Sequence, residues 1–355
     1  MTDQNQPAST APDRVPRIDD PGEFIASIPA MLGFTPHRSL VVAVLSMQPD
    51  RRGGLLEAII RCDLHDAQHV VDSVEQACTA NGADAVLAVV IDDRRRPPTP
   101  VDLVLLALQD RLEESGIEVK GTWAVGRIAT GQRWHSLRPP HRDGTLPDPT
   151  MTLVALNRVY AGRQLHPDRR AIEALLTPLP DLTADITRRL SDVDVGQGGD
   201  PQVRSRAGVQ TVLRTVAALH SGTVPTPRSL ADVAVAWHES TIRDATLALA
   251  GTIHADAAEQ LATTLTRALT GADRAHAAAV LAFFAYHRGD GVLAAIAIDT
   301  ALTADDNHTL AGLLRAALDC ALPSGRMHTL AQHAREAMGA DGIEIPPLST
   351  GPGQQ

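Results

Sequence analysis

Residues 84–92 read DAVLAVVID. Seven aliphatic residues in a row between two aspartates are too few for a helix, and they do not alternate as a half-wet strand would. They predict a strand buried on both faces. Immediately upstream, Asp66–Asn81 (DAQHVVDSVEQACTAN) places Val70, Val71, Val74, Ala77 and Cys78 at helical spacing, with Gly82 at the position of a left-handed helix cap. Further upstream, Ser39–Ser46 (SLVVAVLS) is a second continuous apolar run. It is followed across Pro49–Gly54 by Leu55–Leu64, which predicts a hairpin. Strand, helix and strand within this length predict a parallel, right-handed crossover. At the front, Phe24–Leu32 predicts a short helix that Pro29 breaks or kinks, and Gly33 permits the turn after it.

Downstream, Thr99–Ser115 predicts a helix with Pro100 at its start. Ile117–Thr130 predicts a strand region in which Val119, Gly121, Trp123 and Val125 alternate. Arg133–Pro149 reads as a long loop, and Met151–Ala161 as a helix that closes this half. Beyond it no strand is evident. About eight helices are expected between Pro178, Pro180, the linker Gly196–Gly199, Pro225, Pro227, Gly251, Gly271, Gly289–Gly291 and Pro323. Ala277–Leu318 resembles tetratricopeptide units, with small residues where paired helices cross. The expected organisation is a polar tail (1–17), an α/β domain (18–165), an all-helical domain (166–342) and a second tail (343–355). The α/β domain holds a mixed sheet with a hairpin and a βαβ unit.

Composition narrows the functional classes. The chain has 355 residues, a formal net charge of −10 and only 3% aromatic residues. An acidic chain without a basic tail argues against nucleic acid as the main partner. Lys120 is the only lysine, so Schiff-base or P-loop lysine chemistry would have to use it. There is no GxxxxGK[ST] loop and no GxSxG elbow. Gly196–Gly199 follows no strand and reads as a linker. Three widely spaced cysteines (Cys62, Cys78, Cys320) suit reduced thiols in a cytoplasmic protein, and no apolar run is long enough to span a membrane.

Four constellations could carry chemistry. Asp63 and Asp92 follow predicted strands, and ligands sit beyond the carboxyl ends of parallel strands. If the strands are neighbours, the two carboxylates could hold Mg²⁺ or act as base and stabiliser; the plainer reading is a solvated loop start. In the set Cys62, Asp63, His65, Asp66 and His69, the two histidines share a helix face if the helix has begun by residue 65. Against metal binding, the segment is a helix start at which Asp66 is an ordinary cap. Arg133 and Trp134 in the long loop suit stacking on a ligand, or Trp134 anchors the loop in the core. Arg94–Arg96 could bind phosphate or be a solvated turn. None of these fixes a cofactor.

The stretch IPAMLGFTPHRSLVVAVL resembles an actinobacterial family of uncharacterised proteins known as domain of unknown function 4192. The resemblance rests on Ile28-Pro29, Leu32-Gly33-Phe34, Pro36 and Ser39–Val42, then on Gly82–Ala85, Arg133-Trp134, Val159–Gly162 and Gly289–Gly291. It spans residues 20 to 325 and implies no activity, because the family has no established one. Many members carry cysteines after the Arg-Trp pair. Here that loop has none, so no zinc or disulfide role carries over. Two functions are expected from this reading. One is a non-enzymatic regulatory or protein-interaction module, with a homodimer plausible. The other is a metal-assisted hydrolase or phosphate-ligand-binding enzyme at the strand ends.

Overall fold

The computed structural model describes residues 18, 20–47, 54–67, 70–94, 101–192, 201–340 and 343. The expected tail 1–17, the expected tail 343–355 apart from Ile343, most of the hairpin turn, His69, Arg95, Arg96, Thr99-Pro100 and the linker Gly196–Gly199 lie outside them.

Helix α1 (Pro21–Leu32) starts where Asp20 accepts the Glu23 amide at 3.0 Å and Pro21 occupies the first turn. The helix runs through Pro29 rather than breaking there. It ends at Gly33, whose φ of 83° is left-handed and whose amide donates to Pro29 O at 2.8 Å. Strands β1 (Ser39–Met47) and β2 (Gly54–Asp63) form the predicted antiparallel hairpin. Helix α2 (Val70–Asn81) then leads to β3 (Ala85–Ile91). Helix α3 (Val101–Glu114) leads to β4 (Glu118–Val125).

The six-stranded sheet has the order β2-β1-β3-β4-β5-β6. Both β2 and β3 pair antiparallel with β1. They therefore run parallel to each other, as expected, but with β1 between them. The adjacent parallel pair is β3 and β4, joined through α3. Residues 133–149 are not a bare loop. They contain β5 (Arg133–Ser136) and β6 (Asp143–Thr145), an antiparallel hairpin on the edge of the sheet. The alternation expected along β4 is also interrupted. Val86 faces Val119 but Leu87 faces Gly121, so one extra residue flips the register. Val119 consequently joins the core under α2 and α3, whereas Trp123 packs on the α1 side.

One sheet face buries Leu40, Val42, Val44, Val86, Ala88 and Val90 against α2 and α3. The other buries Val41, Ala43, Val89, Ile91, Val125 and Trp134 beneath α1. Burial on both faces over most of their length explains the uninterrupted apolar runs of β1 and β3.

After a short 3₁₀ turn come α4 (Leu153–Tyr160), α5 (Arg169–Glu173), α6 (Pro180–Asp192), α7 (Pro201–His220), α8 (Pro227–Ala236), α9 (Ser240–Leu247) and α10 (Ala255–Ala268). The remaining helices are α11 (Gly271–His287), α12 (Gly291–Ala304), α13 (Thr309–Asp319) and α14 (Ser324–Ala340). Ten helices thus follow α4 among the described residues, against eight expected. The five-residue α5 is too short to show periodicity, and the α8–α9 turn (Trp237–Glu239) holds neither Gly nor Pro. Helix α11 is the hub: every residue from Ala277 to His287 is buried. Its alanines let neighbouring helices approach closely.

Candidate functional site

The row Asp63, Ser39, Ile91, Val125, Trp134 and Gly144 crosses all six strands at one level. Asp63 and the Asp92 that follows β3 therefore stand at the same sheet end, but with β1 between them. Two strand spacings are about 10 Å, too far for both carboxylates to bind one ion directly. Each also has its own cation. Arg61 Nη2 lies 2.5 Å from Asp63 Oδ1. Arg94 clamps Asp92 through two nitrogens at 2.8 and 2.9 Å, and the Asp92 side chain is only 7% exposed. The Arg94 hydrogen bond holds the Asp92 carboxyl below the usual carboxylate range. Arg38 pairs with Asp93 between the two sites. The rim is thus a charge-balanced row rather than an open pair of acids.

Beneath this rim lies the motif by which the sequence is recognised. Ser39 is fully buried; its hydroxyl donates to His37 O at 2.8 Å and accepts from Arg61 Nε at 2.9 Å. The Arg61 guanidinium also sits 5.8 Å over the buried Phe34 ring. Pro29, Gly33 and Pro36 are buried as well. These residues pin α1 and its exit turn to the hairpin.

Among the described residues, one group could ligate a metal. Asp63, His65 and Asp66 each offer an atom within 4.8 Å of the others. Their geometry is not helical, because α2 begins only at Val70 and His65 stands in the turn before it. His65 is exposed and pairs with Asp66 at 3.1 Å. Trp134 is not available for stacking on a ligand: it is 4% exposed. Its indole packs where a side chain on Gly22 or Gly144 would intrude, at 2.8 and 3.0 Å. Arg133 points away from it, exposed and 3.2 Å from Asp143. Cys62 and Cys78 are pushed up to about 11 by burial, so neither is a thiolate at neutral pH.

The sequence did not reveal a second region, around α4. Arg158 is the hinge pin of this region. It donates to Ala30 O and Gln164 O, both at 3.2 Å, and lies 3.9 Å from Asp290. Asp290 caps α12 through the Leu293 amide and binds Arg288, which in turn clamps Glu259 at 2.8 and 3.0 Å. Two motif segments, the exit of α1 and Gly289–Gly291, therefore converge on Arg158, the residue just before the third, Val159–Gly162. Burial depresses the pKa of Arg158, with Asp290 opposing. Burial acts the same way on Arg288, but Glu259 and Asp290 outweigh it and raise that pKa.

While Arg158, Ala155 and Val154 turn inward, the outward positions of α4 are 153, 156, 157, 159 and 160. Four of these five are apolar: Leu153, Leu156, Val159 and Tyr160, the last two 71% and 78% exposed. Met151 extends the patch at 67%. The sequence predicts this helix only as the element that closes the first half. Which side of a helix faces the core depends on its neighbours, and these were not visible.

No curated protein and no solved structure matches the chain. A family model does match, over residues 21–324, which takes in the sheet, α4 and the helices through the start of α14. On that match the chain belongs to the family described as Domain of unknown function (DUF4192).

Proposed function

We propose that this protein is a non-enzymatic regulatory or protein-interaction module that docks a protein partner on α4. The observation that carries the reading is the apolar outward face Leu153, Leu156, Val159 and Tyr160 on a helix whose opposite side is anchored by Arg158. Contiguous exposed apolar surface held on a rigid element is a hallmark of an interaction site. The neutralised strand-end acids support the same reading, since clamped carboxylates make poor bases. Reduced thiols and a net negative charge fit a cytoplasmic protein with little affinity for nucleic acid. The test is affinity capture with wild type, Val159→Asp and, as control, Val224→Asp, which is 84% exposed but outside the patch. A partner retained by wild type and the control and lost from Val159→Asp is expected. Equal capture by all three would refute the assignment to α4. A second copy of the chain would also cover the patch, and sedimentation of the purified protein separates that case.

A specific observation favours the alternative, a metal-assisted hydrolase: the clustering of Asp63, His65 and Asp66. Here Mn²⁺ or Zn²⁺ would raise the melting temperature of wild type but not of His65→Ala. The absence of any metal-dependent shift removes that reading.

A further inference from the structure

We infer that the cleft between α5, α11 and α12 is a binding site for a small organic acid bearing a single carboxylate. The cleft holds about 570 Å³, within the range of small-molecule sites. Leu176 and Ile296 supply apolar lining for a ligand body. Its charged lining is two arginines, Arg169 and Arg274, and two acids, Glu173 and Asp299.

The acids are already satisfied. Arg169 lies 3.1 Å from Glu173 and 3.6 Å from Asp299, and Asp299 also binds Arg315. Arg274 is different. No carboxylate lies within ion-pair distance of it among the described residues. Its Nη2 makes one long hydrogen bond, 3.4 Å to Leu176 O, and its Nε is enclosed without a partner. An enclosed, unbonded donor is a standing cost. The enclosed Nε cannot itself meet a ligand, but the terminal nitrogens Nη1 and Nη2 can bind a carboxylate end-on through two parallel hydrogen bonds. Arg274 has no carboxylate partner of its own among the described residues, and a single carboxylate would supply one. A phosphate dianion would bring excess charge beside Glu173 and Asp299, so the lining selects a carboxylate. Binding there would tie α5, which follows α4 in the chain, to the central helix α11.

The experiment is calorimetric and thermal titration of the full chain with sodium isobutyrate, isobutyramide and inorganic phosphate at matched ionic strength. Isobutyrate should saturate with a dissociation constant on the order of 1 mM. It should raise the melting temperature by about 2 °C at ten times that concentration. Isobutyramide should give no saturable response, and Arg274→Gln should weaken isobutyrate at least about tenfold, the loss of one charge-assisted bond. Thr303→Phe fills the cleft from an exposed position on its rim and leaves Arg274 intact, which covers the case in which Arg274→Gln fails to fold. It too should abolish binding. Equal responses to acid and amide, unchanged affinity in either variant, saturation by phosphate in place of isobutyrate, or no saturable response to isobutyrate would each overturn the inference.

Discussion

Gly33 meets two constraints at once. Its φ of 83° lies in the left-handed region, where a side chain costs about 1–2 kcal/mol. A Cβ there would also stand 2.5 Å from Arg158 Nη2. Gly33→Ala should therefore destabilise the protein by about 2 kcal/mol or more, read from urea unfolding. Because the contact with Arg158 adds to the backbone cost, the pair Gly33→Ala and Arg158→Ala should be less destabilising than the two single losses summed. Strict additivity would show that the two residues do not press on each other. The cysteines give a second check at this scale. With Cys62 and Cys78 raised to about 11 by burial, both thiols stay protonated at pH 8. Iodoacetamide should modify them only on unfolding, and rapid labelling of the native protein, followed by mass spectrometry, would contradict their placement.

Elements were legible where both sides are buried. Strands β1 and β3 declared themselves because most positions along them are buried and none is fully exposed. Strands β5 and β6 stayed hidden because four and three residues, with Arg, His, Asp and Gly among them, carry no period. The insertion of β1 between β2 and β3 was hidden for a different reason. A hairpin and a crossover fix the directions of strands but not which of them are neighbours. That single fact separates Asp63 from Asp92, which could share one crevice only if β2 and β3 were neighbours. Among the helices, α11 and α13 meet through histidines whose chemistry makes a pH prediction. His308 Nδ1 accepts the Ala311 amide at 3.2 Å, which leaves its Nε2 proton to donate to His276 Nδ1 at 2.8 Å. Protonating His276 there sets a proton against two donors, since Arg243 lies 3.4 Å away. Burial first, and then His308 and Arg243, push the His276 pKa down to about 4. The unfolded chain takes up this proton near 6.5. Stability from this contact is therefore complete above pH 6.5 and is lost as pH falls toward 4. Thermal midpoints should drop across that window in wild type and drop less in His276→Gln. A variant that loses stability as steeply as wild type would count against the contact.

At the scale of the molecule, the buried apolar residues do not stop at the end of the sheet region. One continuous set runs from Phe24, Val41 and Trp134 through Ile172 and Trp237 to Phe283 and Ala331. The polar links cross the same boundary. Arg158 joins the exit of α1 to Asp290, and a backbone bridge pairs Phe34 with His166, whose amide donates to Gly33 O at 2.9 Å. Two sequence halves with different secondary structure would ordinarily be expected to unfold separately. We predict one cooperative transition, because separating them would expose apolar surface and take the half-buried Arg158 from Asp290. The tryptophans allow a direct reading. Trp123 and Trp134 report the sheet, while Trp237, hydrogen-bonded to Thr246 at 2.9 Å, reports the helices. Fluorescence of Trp237→Phe should therefore follow the same urea curve as fluorescence of a Trp123→Phe, Trp134→Phe double variant, once each is corrected for its own stability change by far-ultraviolet circular dichroism. Asp290→Ala should weaken the link and draw the two curves apart. Separate midpoints with the network intact would mean that the halves are independent and that the buried charges at α4 serve something other than cohesion.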